Sequence, residues 1–231
     1  MLGNIWQYPA HVWDEEELQW VKTEAKSDNN IYNNDSLKVL SYNVWFDQLF
    51  LQERMAAVGQ IISDIDPDVI ALQEVTAQIL HHLLAQPWTH SYYVSDPNGR
   101  ELERYGVMLM SKRPFVELGL RAFPGSRLGR KALLGRIMVG SMPVVIGTFH
   151  LESYPQDAPE RKSQLQMLKD LTSAAERVVL CGDTNFAYPD EAKTLGTRFQ
   201  DVWERLYSDC KNPSIGYTMD PSVNPQGCTI H

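Results

Sequence analysis

Several polar residues stand where short apolar runs stop, and their side chains are of the kinds that phosphoryl chemistry uses. Asp183 and Asn185 follow the run Val178-Val-Leu-Cys181 and the break at Gly182, and Glu74 follows Val69-Ile-Ala-Leu72. Asn43 ends the stretch that begins at Leu37, and His150 ends Val144-Val-Ile-Gly-Thr-Phe149. A carboxylate such as Asp183 deprotonates or orients a water, and an amide such as Asn185 donates to an oxyanion. Glu74 suits a hard divalent cation such as Mg²⁺, which takes one or two carboxylates and keeps several waters. His150, with the hydroxyl of Ser153 close behind, offers a donor to a phosphoryl oxygen. Gly, Asp, Thr and Asn also make ordinary turns, so residues 182–185 alone describe a strand exit equally well. The recurrence of polar residues at four strand ends points instead to one site for metal-assisted phosphodiester cleavage.

The elements that position these residues follow from hydrophobic pattern. The four apolar runs are too short for helices and read as strands covered on both faces. Met55, Val58, Ile61, Ile62 and Ile65 recur at helical spacing, and Asp66-Pro67-Asp68 stops that helix. Thr76 is placed to cap the next helix, which carries His81 and His82. Adjacent helical residues diverge by about 100°, so these two histidines do not share a metal. Pro159 opens a further helix through Leu165, Leu168 and Leu171. Residues 91–94, 105–111 and 133–139 are additional strand candidates. Strands alternate with helices in places and come in consecutive pairs in others, which predicts a mixed-sheet sandwich rather than a doubly wound parallel sheet. No GxxxxGK[ST] or GxGxxG is present.

With 231 residues and 43% hydrophobic content, the chain suits one domain plus an appendage. Residues 1–36 form an acidic and polar arm, and residues 37–231 the body. Asp14 and Glu17 have capping-box spacing, which predicts a short helix from about Glu15 to Ala25, docked through Trp13 and Trp20. No apolar run reaches the ~20 residues of a membrane span, and the N-terminus lacks a signal-peptide pattern. The expectation is an intracellular chain, nuclear or cytoplasmic, with no membrane partner. Cys181, Cys210 and Cys228 have no CxxC spacing, which argues for reduced thiols over a disulfide framework or zinc site. A net charge of −8 excludes a generally cationic nucleic-acid binder. The run from Arg121 to Arg136, with Arg127, Arg130 and Lys131 inside it, holds five basic and no acidic residues. It is the one candidate for a local basic surface, and a solvated loop face would look the same.

The order of these motifs resembles the endonuclease/exonuclease/phosphatase superfamily, through Ser41-Tyr-Asn43, Leu72-Gln-Glu74, residues 148–153 (TFHLES) and Gly182-Asp-Thr-Asn185. The narrower resemblance is to the branch that hydrolyses 5′-phosphotyrosyl-DNA, through SYNVWF (41–46), PDVIALQEVT (67–76), SRLGR (126–130), HLES (150–153), DVWE (201–204) and GYTMD (216–220). The resemblance implies a four-layer α/β sandwich of two packed mixed sheets flanked by helices. It implies that Glu74 holds Mg²⁺, or Mn²⁺ in its place, with Asn43 supporting metal and phosphate. It further implies that Asp183 activates water and that Asn185 and His150 stabilise the transition state. The partner is DNA carrying a 5′-tyrosyl adduct, with Ser153, Arg127, Arg130 and Lys131 on the substrate side. That branch continues into an arginine-aspartate strand and a Ser-Asp-His loop that residues 221–231 do not contain, which predicts a C-terminally incomplete domain. The alternatives are a related nuclease or phosphatase acting on RNA, a phosphorylated small molecule or a lipid, and a catalytically impaired DNA-binding module.

Overall fold

A computed structural model describes residues 6–23, 36–188 and 190–207. Among these residues, eleven strands form two sheets. Strands β1 (Trp6–Gln7), β8 (Glu117–Ala122), β9 (Lys131–Val139), β10 (Met142–His150) and β11 (Val178–Asp183) make a five-stranded sheet in that spatial order. The six-stranded sheet runs β3 (Gln19–Lys22), β2 (His11–Asp14), β6 (Tyr93–Val94), β7 (Gly106–Ser111), β5 (Val69–Val75) and β4 (Val39–Asn43). Both sheets are mixed: β4–β5 and β10–β11 are parallel, and the remaining pairs are antiparallel.

Alternation along the strands divides the core into layers. Val69 and Ala71 of β5, Leu133 and Ile137 of β9, and Val144 and Ile146 of β10 pack between the sheets. Ile70 and Leu72 face the other way, against α1 (Leu51–Ile65) and α2 (Ala77–Leu84), through Met55, Val58, Ile62, Ile79 and Leu83. On the far side, Phe149 and Ala132 pack against α3 (Ala158–Leu171) through Leu165 and Leu168. The expected four-layer sandwich, helix, sheet, sheet, helix, is what forms. Thr76 caps α2 as predicted, its Oγ1 accepting the Ile79 N–H at 3.1 Å. No helix among the described residues is long and apolar enough to cross a membrane.

The helix expected from Glu15 to Ala25 does not form. Residues 11–22 make a hairpin of β2 and β3 at the edge of the six-stranded sheet, while β1 joins the other sheet. Asp14 does cap, since its Oδ1 accepts the N–H groups of Glu16 and Glu17 at 2.9 and 3.0 Å. That closes a turn between two strands, a use of Asp that short-range spacing does not distinguish from a helix start. Trp13 and Trp20 are cross-strand partners with rings 5.5 Å apart, and Trp13 stacks on His90 at 4.0 Å. Residues 24 and 25, Cys210, Cys228 and the GYTMD stretch lie outside the described residues. Cys181 is a free thiol, pushed up to about 11 by burial.

The close approach of β10 and β11 depends on Gly182. A Cβ there would lie 2.4 Å from the Phe149 carbonyl oxygen and 2.8 Å from its ring. The backbone cannot yield without breaking the ladder that sets His150 opposite Asp183. Gly182→Ala is therefore expected to lower stability by about 1–3 kcal/mol, as overpacking does. Urea denaturation checks this, and an unchanged midpoint would show that the strands tolerate separation.

Candidate active site

The site lies where the apolar layer between the sheets runs out. Along the inner face of β4 come Val39, Ser41 and Asn43; along β5 come Val69, Ala71 and Gln73. On β10 and β11 the same alternation carries Val144, Ile146, Thr148 and His150, and Val179, Cys181 and Asp183. Gln73 is 2% exposed and closes the core, its Nε2 donating to Thr148 Oγ1 at 3.0 Å and Ser41 Oγ at 3.3 Å. One position further, at the C-terminal ends of two parallel pairs, Asn43, His150 and Asp183 converge.

Glu74 has the wrong parity to join them. It reaches the same space because β5 slips register against β7 between Leu72 and Val75, and Glu74 takes φ +61°. Such bulges re-aim a side chain beside functional sites. Trp45 and Asn185 also sit in the left-handed region, at φ +58° and +48°. Each such non-glycine residue costs of order 1–3 kcal/mol, and here they gather around one group of side chains.

The two carboxylates are joined by one amide. Asn43 Nδ2 donates to Glu74 Oε1 at 3.1 Å and to Asp183 Oδ2 at 2.8 Å. Its orientation is set by Trp45, whose N–H donates to Asn43 Oδ1 at 2.9 Å. The second oxygen of Glu74 accepts the Phe46 N–H at 2.9 Å, and that of Asp183 accepts the Asn185 N–H at 3.0 Å. Asn43 thus turns its NH₂ toward the site and holds the carboxylates as a donor. Asn185 Nδ2 reaches Leu151 O at 3.1 Å and Ser153 Oγ at 3.4 Å, so its side chain braces the loop after β10.

His150 faces this pair, its Nε2 3.6 Å from Asp183 Oδ2 and 3.9 Å from Glu74 Oε1. Ligand atoms of Glu74, His150 and Asp183 all lie within 4.8 Å of one another. The imidazole is nevertheless ill suited to ligate. Arg130 Nη1 lies 2.5 Å from Nδ1, and since a guanidinium only donates, Nδ1 must accept. Burial, followed by the charge of Arg130, pushes His150 down to about 2, so the ring is neutral and its proton sits on Nε2, toward the carboxylates. The hard-oxygen pair of Glu74 and Asp183 remains, and that donor set fits a cation of the Mg²⁺ kind.

Arg130 is 4% exposed. Its Nη2 donates to Ser153 Oγ at 2.5 Å, and its guanidinium lies 5.1 Å from the Tyr105 ring centroid. Burial lowers its pKa, and Tyr105, Glu74, Glu152 and Asp183 oppose that shift. Behind it stands the buried carboxylate of Glu152, which accepts Ser126 Oγ at 2.5 Å and the Arg127 N–H at 3.0 Å. Ser126 Oγ in turn accepts the Arg130 N–H at 2.8 Å. The two motifs SRLGR and HLES are therefore one device, a loop bolted by a carboxylate so that an arginine can grip a histidine.

The basic run is not a continuous stripe. Its start lies in β8, a strand that hydrophobic pattern did not reveal, and its later cations are mostly paired. Arg127 bonds Asp157, with Glu160 4.0 Å away, and Lys131 contacts Glu103 at 3.0 Å and Glu101 at 3.3 Å. Of the three basic residues expected on the substrate side, the structure brings Arg130 to the site. Tyr105, Gln73 and Glu152 were missed as site residues. Gln73 was detectable, as a polar residue in phase with Val69 and Ala71, and Glu152 as part of HLES, whereas Tyr105 carries no local signal.

A carboxylate pair at the rim of a two-sheet sandwich defines a class. Residues 40–230 match the endonuclease/exonuclease/phosphatase family, and the chain belongs to it. It is similar to tyrosyl-DNA phosphodiesterase 2 of Danio rerio, at 28% identity over 81% of this chain and 51% of that protein. The 5′-tyrosyl-DNA phosphodiesterase of Caenorhabditis elegans is 27% identical over 84% of this chain and 54% of its own length. The chain thus spans about half the length of the curated relatives it matches. Among solved structures, D. rerio TDP2 complexed with single strand DNA product superposes with a TM-score of 0.70 at 26% identity, covering 84% of this chain and 78% of that one.

Removing the Glu152 carboxylate leaves Ser126 Oγ–H and the Arg127 N–H without their acceptor. Glu152→Ala is expected to cost about 2 kcal/mol, while Glu152→Gln, which keeps an acceptor oxygen, recovers part of it. Denaturant midpoints of the two variants test this, and equal losses would assign the cost to something other than the hydrogen bonds.

Proposed function

We propose that the chain is a metal-dependent phosphodiesterase that hydrolyses 5′-phosphotyrosyl bonds on DNA. The observation that carries this reading is the carboxylate pair Glu74 and Asp183, held by one Asn43 amide beside a neutral histidine and a buried arginine. Similarity to 5′-tyrosyl-DNA phosphodiesterases over most of the chain supports the substrate.

Glu74 would hold the cation, Mg²⁺ or in its place Mn²⁺, and Asp183 would stand beside it as the base. When bound, the ion supplies positive charge to the phosphoryl oxygens. Asp183, fixed by the Asn185 N–H and the Asn43 NH₂, orients a water and takes its proton. A bond forms from the water oxygen to phosphorus, and the bond from phosphorus to the tyrosyl oxygen breaks. The tyrosine leaves as a phenolate that is protonated by solvent, and the DNA keeps a 5′-phosphate. His150 donates from Nε2 and Arg130 adds charge near Ser153, which stabilise the phosphoryl oxygens as negative charge builds.

Release of tyrosine from a 5′-tyrosyl oligonucleotide is expected to stop with EDTA and return with Mg²⁺ or Mn²⁺. Glu74→Gln and Asp183→Asn should each lower kcat by about 10³ or more, and His150→Ala by about 10²–10³. Chelator-resistant turnover, or activity retained in Glu74→Gln, would overturn the reading. Turnover confined to an RNA, inositol phosphate or sphingolipid substrate would assign the same site to a different substrate.

Because Arg127 and Lys131 are paired with acidic side chains, DNA affinity should depend weakly on salt. Plotted as log affinity against log KCl concentration, we expect a slope shallower than about −2, and a slope near −6 would show a basic track of several phosphate contacts.

A further inference from the structure

The loop after Asn43 carries an indole where the backbone favours glycine. Trp45 has φ +58°, a conformation that bulky L-residues rarely adopt, and at 42% exposure it is not driven there by burial. Polar contacts hold it instead. Its N–H donates to Asn43 Oδ1 at 2.9 Å and its carbonyl accepts from Arg54 Nη2 at 3.0 Å. The same guanidinium donates to Asp47 O at 2.7 Å and lies over the Trp45 ring, 4.8 Å from its centroid. One side of the indole therefore rests on a fixed cation, while much of the ring stays open to solvent.

This indole is tied to the site on both flanks. Asn43 precedes it and bridges the carboxylates, and Phe46 follows it and donates its N–H to Glu74 Oε2 at 2.9 Å. In-line displacement at phosphorus puts the attacking water and the departing oxygen on opposite sides. With Asp183 activating the water, the departing oxygen leaves on the side of the phosphorus away from Asp183, and a departing oxygen directed at the loop of Trp45 would bring its aryl group to the indole. The nucleotide half of the substrate would lie with Arg130 and Ser153 behind His150, while Tyr105 stacks on Phe46 at 5.1 Å, between that side and the loop of Trp45.

We infer that Trp45 is a specificity-determining residue that forms a subsite for the aromatic leaving group, its indole stacking on the departing tyrosyl ring. This rests on the phosphodiesterase reading above. A strained, exposed aromatic anchored to both catalytic carboxylates through the backbone has no other partner to stack on among the described residues, apart from Arg54 beneath it. Offset or edge contacts between aromatic rings correspond to about 3- to 10-fold in rate or affinity.

The test uses the metal-loaded full chain and two substrates on one oligonucleotide, a 5′-tyrosyl diester and a 5′-alkyl diester. The ratio of their kcat/KM values in the parent and in each variant cancels intrinsic leaving-group reactivity. Trp45→Gly should lose about 3- to 10-fold on the tyrosyl substrate and less than about 2-fold on the alkyl one. Its melting temperature should not fall appreciably, since glycine is at home at positive φ and the anchoring hydrogen bonds are made by the backbone. Trp45→Phe should keep most of the preference. Equal losses on both substrates, or none on the tyrosyl one, would overturn the subsite while leaving the phosphodiesterase reading intact. A parent chain that cleaves neither diester would overturn both.

Discussion

Two like charges held in one small space set the terms for the rest of this structure. Glu74 and Asp183 both present an oxygen to the same Asn43 NH₂ group, at 3.1 and 2.8 Å. Carboxylates so close repel each other in a partly desolvated setting, and each surrounding feature offsets that repulsion. Backbone N–H groups of Phe46 and Asn185 take the outer oxygens, the His150 Nε2–H faces the inner ones, and the Arg130 cation stands behind the imidazole. A divalent cation of the kind proposed would complete the balance. Three of the seven non-glycine residues with left-handed backbones among the described residues, Trp45, Glu74 and Asn185, lie in the same place.

His150 shows how burial assigns a role. An exposed histidine beside two carboxylates would be protonated and would serve as a counter-ion. Here burial and the guanidinium at Nδ1 keep it neutral, and the tautomer is dictated because Arg130 has no lone pair to offer. The outcome is a donor of fixed direction, which suits charge that appears only as a reaction proceeds. Glu152 acts at one remove, through Ser126, by setting where Arg130 begins. Gly182 acts at one remove too, by letting β11 approach Phe149 closely enough to set Asp183 opposite His150.

Much of the site was legible in the sequence because strand ends announce themselves. An apolar run that stops at a polar residue marks the edge of a buried layer, and Asn43, His150 and Asp183 lie in phase with the core residues before them. Glu74 was legible as a residue but not as a direction, since its face depends on a bulge set by β7. The run from Arg121 to Arg136 misled, because its neutralising partners, Glu101, Glu103, Asp157 and Glu160, lie in other segments. Asp14 misled for a related reason: the same side chain caps a helix or a hairpin turn, and only pairing with β6 decides which. The mixed sheets were legible from consecutive strand pairs, while β8 was not, its alternation being short and partly exposed.

The proposed reaction turns on one step, attack of a metal-assisted water on phosphorus. Hydrolysis of a 5′-tyrosyl oligonucleotide in ¹⁸O-labelled water tests that step directly. Mass spectrometry should find one ¹⁸O in the 5′-phosphate of the DNA product and none in the released tyrosine, with no labelled product in the presence of chelator. Label in the tyrosine hydroxyl, or label appearing without a divalent cation, would contradict it.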